Sequence, residues 1–181
     1  PENLGFEAFI SKESKKINLN DYRSKWLVLI FYPADFTFVC PTELGEVADI
    51  YYKFQELGAE VFSISTDTVH THKAWHDRSD TIKKIKFPMI ADPTGKLCRV
   101  FGTYLESEGL SLRGSFIIDP EGTLRIMEMN DNSVGRNANE LLRKLQATKF
   151  VFDNGGVNVC PASWSPGKET LKPGMDLVGK I

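Results

Sequence analysis

Residues 26–32 read Trp-Leu-Val-Leu-Ile-Phe-Tyr, and Pro33 stops the run. This stretch constrains the fold more than any other. It is far short of the roughly 20 apolar residues that span a bilayer. Its aromatic and β-branched content predicts a buried strand. A short loop follows, and Pro41 then stands where the first turn of a helix tolerates it. Leu44, Val47, Ala48, Tyr51 and Phe54 recur at helical spacing, and Gly58 supplies a stop. Residues 60–66, Glu-Val-Phe-Ser-Ile-Ser-Thr, alternate with period two and predict a second strand. Strand, helix and strand in this order demand a right-handed crossover between parallel neighbours.

The rest of the chain extends that unit. Residues 67–76 predict a short capped helix, and residues 87–91 predict a third strand followed by an Asp92-Pro-Thr-Gly95 turn. Residues 114–119 and 124–129 flank Pro120-Glu-Gly122 and read as a β-hairpin. Leu141, Leu142, Leu145 and Phe150 place an amphipathic helix over residues 137–150. The expected class is α/β, a mixed central sheet flanked by helices, with a thioredoxin-like domain as the closest simple match. Residues 1–152 form this domain. Residues 153–181, rich in Gly, Pro, Asn, Ser and Lys, form a loop-rich C-terminal extension of the same structural unit.

Composition sets the outer limits. With 181 residues, 41% apolar and 25% charged, the chain is long enough for one self-sufficient core and is not a disordered polymer. Its 22 basic and 24 acidic residues leave a net charge of −2, so no nucleic-acid or membrane partner is expected. The opening Pro-Glu-Asn-Leu-Gly-Phe lacks the basic and apolar regions of a signal peptide. Three cysteines are too few for a secreted disulfide scaffold and too far apart for a local zinc clip. Reduced thiols and a cytoplasmic location follow as the expectation.

Cys40 lies where the first strand hands over to the first helix, the usual place for chemistry in a sheet of this type. Free N–H groups and the positive dipole end there favour a thiolate. That matters because an ordinary thiol, of pKa about 8.5, is only ~3% ionised at neutral pH. From position alone two readings stand, a reactive thiol or a small buried hydrophobe. The continuation Cys40-Pro-Thr-Glu43 puts a carboxylate where a dithiol oxidoreductase has its second cysteine. A vicinal disulfide cannot form, and any partner thiol comes from elsewhere.

The segment Phe31-Tyr-Pro-Ala-Asp-Phe-Thr-Phe-Val-Cys-Pro-Thr-Glu-Leu44 fits P-x-x-x-[ST]-x-x-C. Here the chain resembles the peroxiredoxins of the typical two-cysteine class, and the resemblance covers nearly all of it. Val159-Cys-Pro-Ala-Ser-Trp164 resembles that class's resolving-cysteine motif, and residues 171–181 resemble the bacterial alkyl hydroperoxide reductase branch. The resemblance implies that Cys40 is the peroxidatic nucleophile and forms a sulfenic acid. It implies that Thr37 bonds the sulfur and the peroxide, that Arg113 is the active-site guanidinium, and that Pro33 shields the site from water. Without the motif, Arg113 reads as a surface arginine beside a strand. Glu43 and Arg136 are carried over as a supporting ion pair, and Trp75 as a neighbour for which plain core packing is the alternative.

Cys160 is implied to be the resolving thiol, reacting with Cys40 of a second subunit. The first helix turn must then unwind, and a flavoprotein disulfide reductase or thioredoxin resets the disulfide. The family assembles homodimers into decamers. The expected substrates are hydrogen peroxide and organic hydroperoxides. Ser79-Asp-Thr-Ile-Lys-Lys-Ile-Lys-Phe-Pro88 lacks the Gly-Gly-Leu-Gly of eukaryotic members, and residue 181 ends the tail without their Tyr-Phe. Fast resolution and resistance to sulfinic acid formation are therefore expected.

Other signals are weaker. Cys98, in Lys-Leu-Cys-Arg-Val-Phe, reads as a structural thiol. His70, His72 and His76 have no completing ligand and read as a solvated helix face. Lys83, Lys84 and Lys86 are a small surface patch. There is no phosphate loop, nucleophile elbow or cofactor motif, so no cofactor or metal is expected. Two other functions compete. One is a holdase or scaffold whose assembly is the function. The other is a protein thiol–disulfide oxidoreductase, against which Glu43 argues.

Overall fold

The computed structural model describes residues 5–180. Two compact units make up the chain, one ending at Ala138 and the other beginning at Asn139. In the first unit, strands β1 (Gly5–Ile10), β2 (Glu13–Asn18) and β3 (Trp26–Phe31) precede helices α1 (Cys40–Asp49) and α2 (Tyr51–Glu56). Then come β4 (Ala59–Ser65), α3 (Val69–Arg78), β5 (Met89–Ala91) and α4 (Lys96–Val100). A small hairpin, β6 (Tyr104–Leu105) and β7 (Leu110–Ser111), leads to β8 (Arg113–Ile118) and β9 (Leu124–Asn130).

Seven strands form one mixed sheet in the order β2-β1-β5-β4-β3-β8-β9. The middle three, β5, β4 and β3, run parallel, as the strand–helix–strand reading requires. Antiparallel strands complete both sides. All six residues of β3 are buried, which is why the sequence shows a continuous apolar run there and not alternation. Leu27, Leu29, Phe31, Phe62, Ile64, Ile90 and Phe116 interlock in a core against one face of the sheet.

The structure adjusts several boundaries. The single helix predicted after Cys40 breaks at Ile50, whose backbone leaves the helical region (φ −115°, ψ 12°). Its N–H bonds back three residues to Val47, tightening the turn. The third strand starts at Met89, because Pro88 has no N–H to give the ladder. The β1–β2 hairpin was not predicted. Its turn residues, Ser11 (φ +50°) and Lys12 (φ +73°), both adopt the left-handed region without the Asn-Gly or Gly-Gly signal that usually marks it.

Helix α5 (Ala138–Asp153) leads into the second unit and runs three residues past its predicted end. Asn154 Nδ2 caps the Phe150 carbonyl, and the left-handed Gly155 and Gly156 turn the chain away. An antiparallel bridge between Val159 and Leu171 organises the tail beyond. Trp164 is buried there with its ring 5.1 Å from that of Phe150, and its carbonyl accepts a 2.6 Å bond from Arg143. Among the described residues, no helix is long and apolar enough to cross a membrane.

Candidate active site

Strand β3 delivers the chain to Tyr32 and Pro33, both buried, and a loop of six residues then reaches Cys40 at the start of α1. No side chain caps α1. The carbonyl of Val39 accepts from Thr42 and Glu43 N–H, and Pro41 occupies the first turn. Cys40 is fully buried there.

The residues of the loop are bonded mostly within the loop or to the sheet ends. Phe36 holds a left-handed backbone (φ +55°), a conformation that costs a non-glycine residue of order 1 kcal/mol. Thr37 Oγ1 donates to the Ala34 carbonyl at 2.9 Å, so its only proton is engaged and its lone pairs remain for an incoming donor.

Strand β8 brings Arg113 to the sulfur. Arg113 Nη1 lies 3.3 Å from Cys40 Sγ and 2.6 Å from Glu43 Oε2, while Nε donates to the Asn132 carbonyl at 3.0 Å. Arg136 meets the same carboxylate from the other side. Its Nε and backbone N–H both reach Glu43 Oε1 at 2.8 Å, and Nη2 reaches Oε2 at 3.1 Å. Nη1 of Arg136 ties the cluster to the sheet through the Gly114 carbonyl at 2.7 Å. Gly135 permits this close approach, since a Cβ there would stand 3.2 Å from Val39 Cγ1.

The side chains of Glu43, Arg113 and Arg136 are at most 8% exposed. Charges removed from water this far persist only when paired and fully hydrogen-bonded. Two guanidiniums face one carboxylate, so the cluster carries one positive charge more than Glu43 neutralises. One of the two, Arg113, lies against the sulfur. The alternative reading of Arg113 as a surface residue is thereby corrected: it is 3% exposed. Trp75 is core, as its residue type suggests, and also a neighbour of the loop. It is buried, with ring centroids 6.2 Å from Tyr32 and 6.1 Å from Phe36.

Comparison with known proteins gives the family of the chain. The family model described as "AhpC/TSA family" matches residues 5–127. The chain belongs to the AhpC/TSA family. It is a peroxiredoxin, and its sheet is the thioredoxin-like one that the sequence predicts. This AhpC/TSA chain is 51% identical over 175 residues to the alkyl hydroperoxide reductase C of Salmonella typhimurium, covering 97% of this chain and 93% of that protein. The crystal structure of Enterococcus faecalis AhpC superposes with a TM-score of 0.85 at 47% identity, over 89% of this chain and 96% of that one. The reduced 2-Cys peroxiredoxin of Plasmodium vivax does so at 0.91 and 30% identity, over 97% and 92%.

Cys98 and Cys160 are the other two cysteines of this AhpC/TSA chain. All three are free thiols. Cys98, on α4, is fully buried in the core, and burial, with Asp92 adding to it, pushes its thiol up to about 12. Cys160 belongs to the second unit. It is half-buried, with Sγ 3.7 Å from the Ala147 carbonyl, and burial raises its thiol against the opposing pull of Arg143.

Two of the three histidines overturn the expectation of a solvated face, while His70 is exposed as expected. His72 is fully buried and His76 only 8% exposed. His72 Nδ1 is 2.7 Å from Asp35 Oδ2. Sequence reasoning misread His72 as solvated and gave Asp35 no role. The one usable signal was Asp35 itself, a carboxylate four residues beyond the end of a fully apolar strand.

Proposed function

We propose that this peroxiredoxin reduces hydrogen peroxide and organic hydroperoxides through Cys40. The carrying observation is the 3.3 Å approach of Arg113 Nη1 to Cys40 Sγ within a cluster that has a positive charge to spare. The sulfur attacks the terminal peroxide oxygen. The S–O bond forms as the O–O bond breaks, Cys40 becomes a sulfenic acid, and the departing oxygen takes up the proton given up by the thiol and leaves as alcohol or water. Negative charge crosses the O–O bond in this step, and a fixed guanidinium beside the reacting atoms stabilises it without reorganising. The free lone pairs of Thr37 suit it to accept from the hydroperoxide O–H. Pro33 removes one backbone donor and excludes water. Glu43 and Arg136 hold Arg113 in place.

In the second step the Cys160 thiol of another subunit attacks the Cys40 sulfenic acid. An intersubunit disulfide forms and water leaves, so residues 153–181 serve as the extension that carries the resolving thiol. Full burial of Cys40 requires the first turn of α1 to open for this, and that turn has no side-chain cap to break. A flavoprotein disulfide reductase or thioredoxin then returns both thiols by exchange. Homodimers, assembling into decamers in the cytoplasm, complete the proposal.

The test is a peroxide-consumption assay with a non-reducing gel. Wild-type protein consumes peroxide and gives a covalent dimer after one equivalent. Loss of neither in Cys40→Ser would overturn the assignment.

A further inference from the structure

A second buried polar cluster lies beside the catalytic loop and takes no part in the steps above. Its centre is Asp35, whose side chain, like that of His72, is completely shielded from solvent. Asp35 Oδ1 accepts from Tyr32 Oη at 2.7 Å, and Oδ2 meets His72 Nδ1 at 2.7 Å. The Asp35 backbone N–H donates to Asp67 Oδ2 at 2.8 Å, and Ser65 Oγ donates to the same oxygen at 2.7 Å. His72 Nε2 reaches the Ile90 carbonyl of β5 at 3.2 Å. Three neighbouring parallel strands, β3, β4 and β5, and helix α3 therefore converge through their ends on one loop residue.

A buried polar network of this kind rarely adds net stability over an apolar core of equal volume. It supplies direction. The loop needs direction, because Phe36, the next residue, sits in a left-handed conformation that the chain would leave if released. Helix α3 holds that residue and the one before it. His72 bonds Asp35, and Trp75, one turn on, packs against Phe36 and Tyr32. Beyond Phe36 lies Thr37, bonded back to Ala34.

We infer that His72 is a positioning residue for peroxide reduction: with Asp35 it latches the strained turn that presents Thr37 and Pro33 to Cys40. This rests on the proposed peroxidase reading. The latch acts on the loop and not on the sulfur, so its loss misplaces the groups that receive the peroxide and leaves the Arg113–Cys40 contact in place. Misplacement on the ångström scale costs about 10–100-fold in rate.

Stopped-flow measurement of peroxide reaction, alongside iodoacetamide alkylation of Cys40, tests the inference in His72→Phe, His72→Asn and Tyr32→Phe. His72→Phe keeps a ring without donors, whereas His72→Asn keeps an N–H near the Nδ1 position. The expected result is a peroxide rate constant about 10–100-fold lower in His72→Phe, an alkylation rate within a few-fold of wild type, and substantial rescue in His72→Asn. An unchanged peroxide rate in folded His72→Phe overturns the inference. So do peroxide and alkylation rates that fall together, or His72→Asn no better than His72→Phe. If His72→Phe does not fold, Tyr32→Phe decides, and a wild-type peroxide rate there overturns the latch. Failure of the peroxidase reading is distinguishable, because wild-type protein itself would then show no Cys40-dependent peroxide reaction.

Discussion

Arg113 places a single guanidinium nitrogen, Nη1, 3.3 Å from Cys40 Sγ and 2.6 Å from Glu43 Oε2. One group thus connects the sulfur to the carboxylate that orients it. Arg113→Lys keeps the charge and loses the fork that serves Cys40, Glu43 and the Asn132 carbonyl together. Losing one preorganised donor of this kind costs about 10²–10³ in rate. A competition assay for the second-order rate constant with peroxide checks this, and a loss below threefold contradicts it.

Glu43 is the common acceptor of two buried guanidiniums and of the Arg136 backbone N–H. Glu43→Gln leaves two positive charges facing a neutral amide. Removing one partner of a buried ionic cluster costs about 3–5 kcal/mol. The urea midpoint of Glu43→Gln should fall accordingly, with peroxide reactivity reduced as Arg113 loses its anchor. A wild-type midpoint would show that water already screens the cluster.

Cys160→Ser separates the two proposed chemical steps. The variant should consume one equivalent of peroxide per chain and then stop. Mass spectrometry should show oxygen on Cys40, and a non-reducing gel should lack the dimer band of the wild type. Sustained turnover with reductant in the variant would assign resolution to another thiol.

Stability should fall on mild acidification. His76 packs edge-on against Phe9 at 5.1 Å, and burial holds its imidazole below the ordinary value of 6.5, with Asp77 opposing and Lys12 and Lys83 reinforcing. The native state therefore binds fewer protons than the unfolded chain just below that value. The contribution is intact above pH 6.5 and is lost as pH falls below it. Urea midpoints at pH 7.5 and 5.5 read the effect, which His76→Gln should diminish; an equal slope in the variant would exclude His76 as its source.

How far the chain could be read in advance depended on the range of the interactions. The β3–α1–β4 unit was legible because an all-apolar strand, a proline at a helix start and a period-two strand are local patterns. The β1–β2 hairpin was not, since Ser11 and Lys12 occupy turn positions that their residue types disfavour, and pairing with β5 holds them there. His72 was misjudged for a related reason. A histidine among polar neighbours on a helix looks solvated until a carboxylate from another segment is placed against it.

By itself the sequence determined the layered α/β class and the position of Cys40 at a helix start, because periodicity and helix-end chemistry act over a few residues. Motif resemblance nominated Thr37, Glu43, Arg113 and Arg136. Only the tertiary structure decided that Arg113 joins the expected Glu43–Arg136 pair and touches Cys40 as well, and that Asp35 and His72 close a buried network under the catalytic loop. Those contacts join segments far apart in the chain. Their strength comes from burial, which strands and helices create only once they pack.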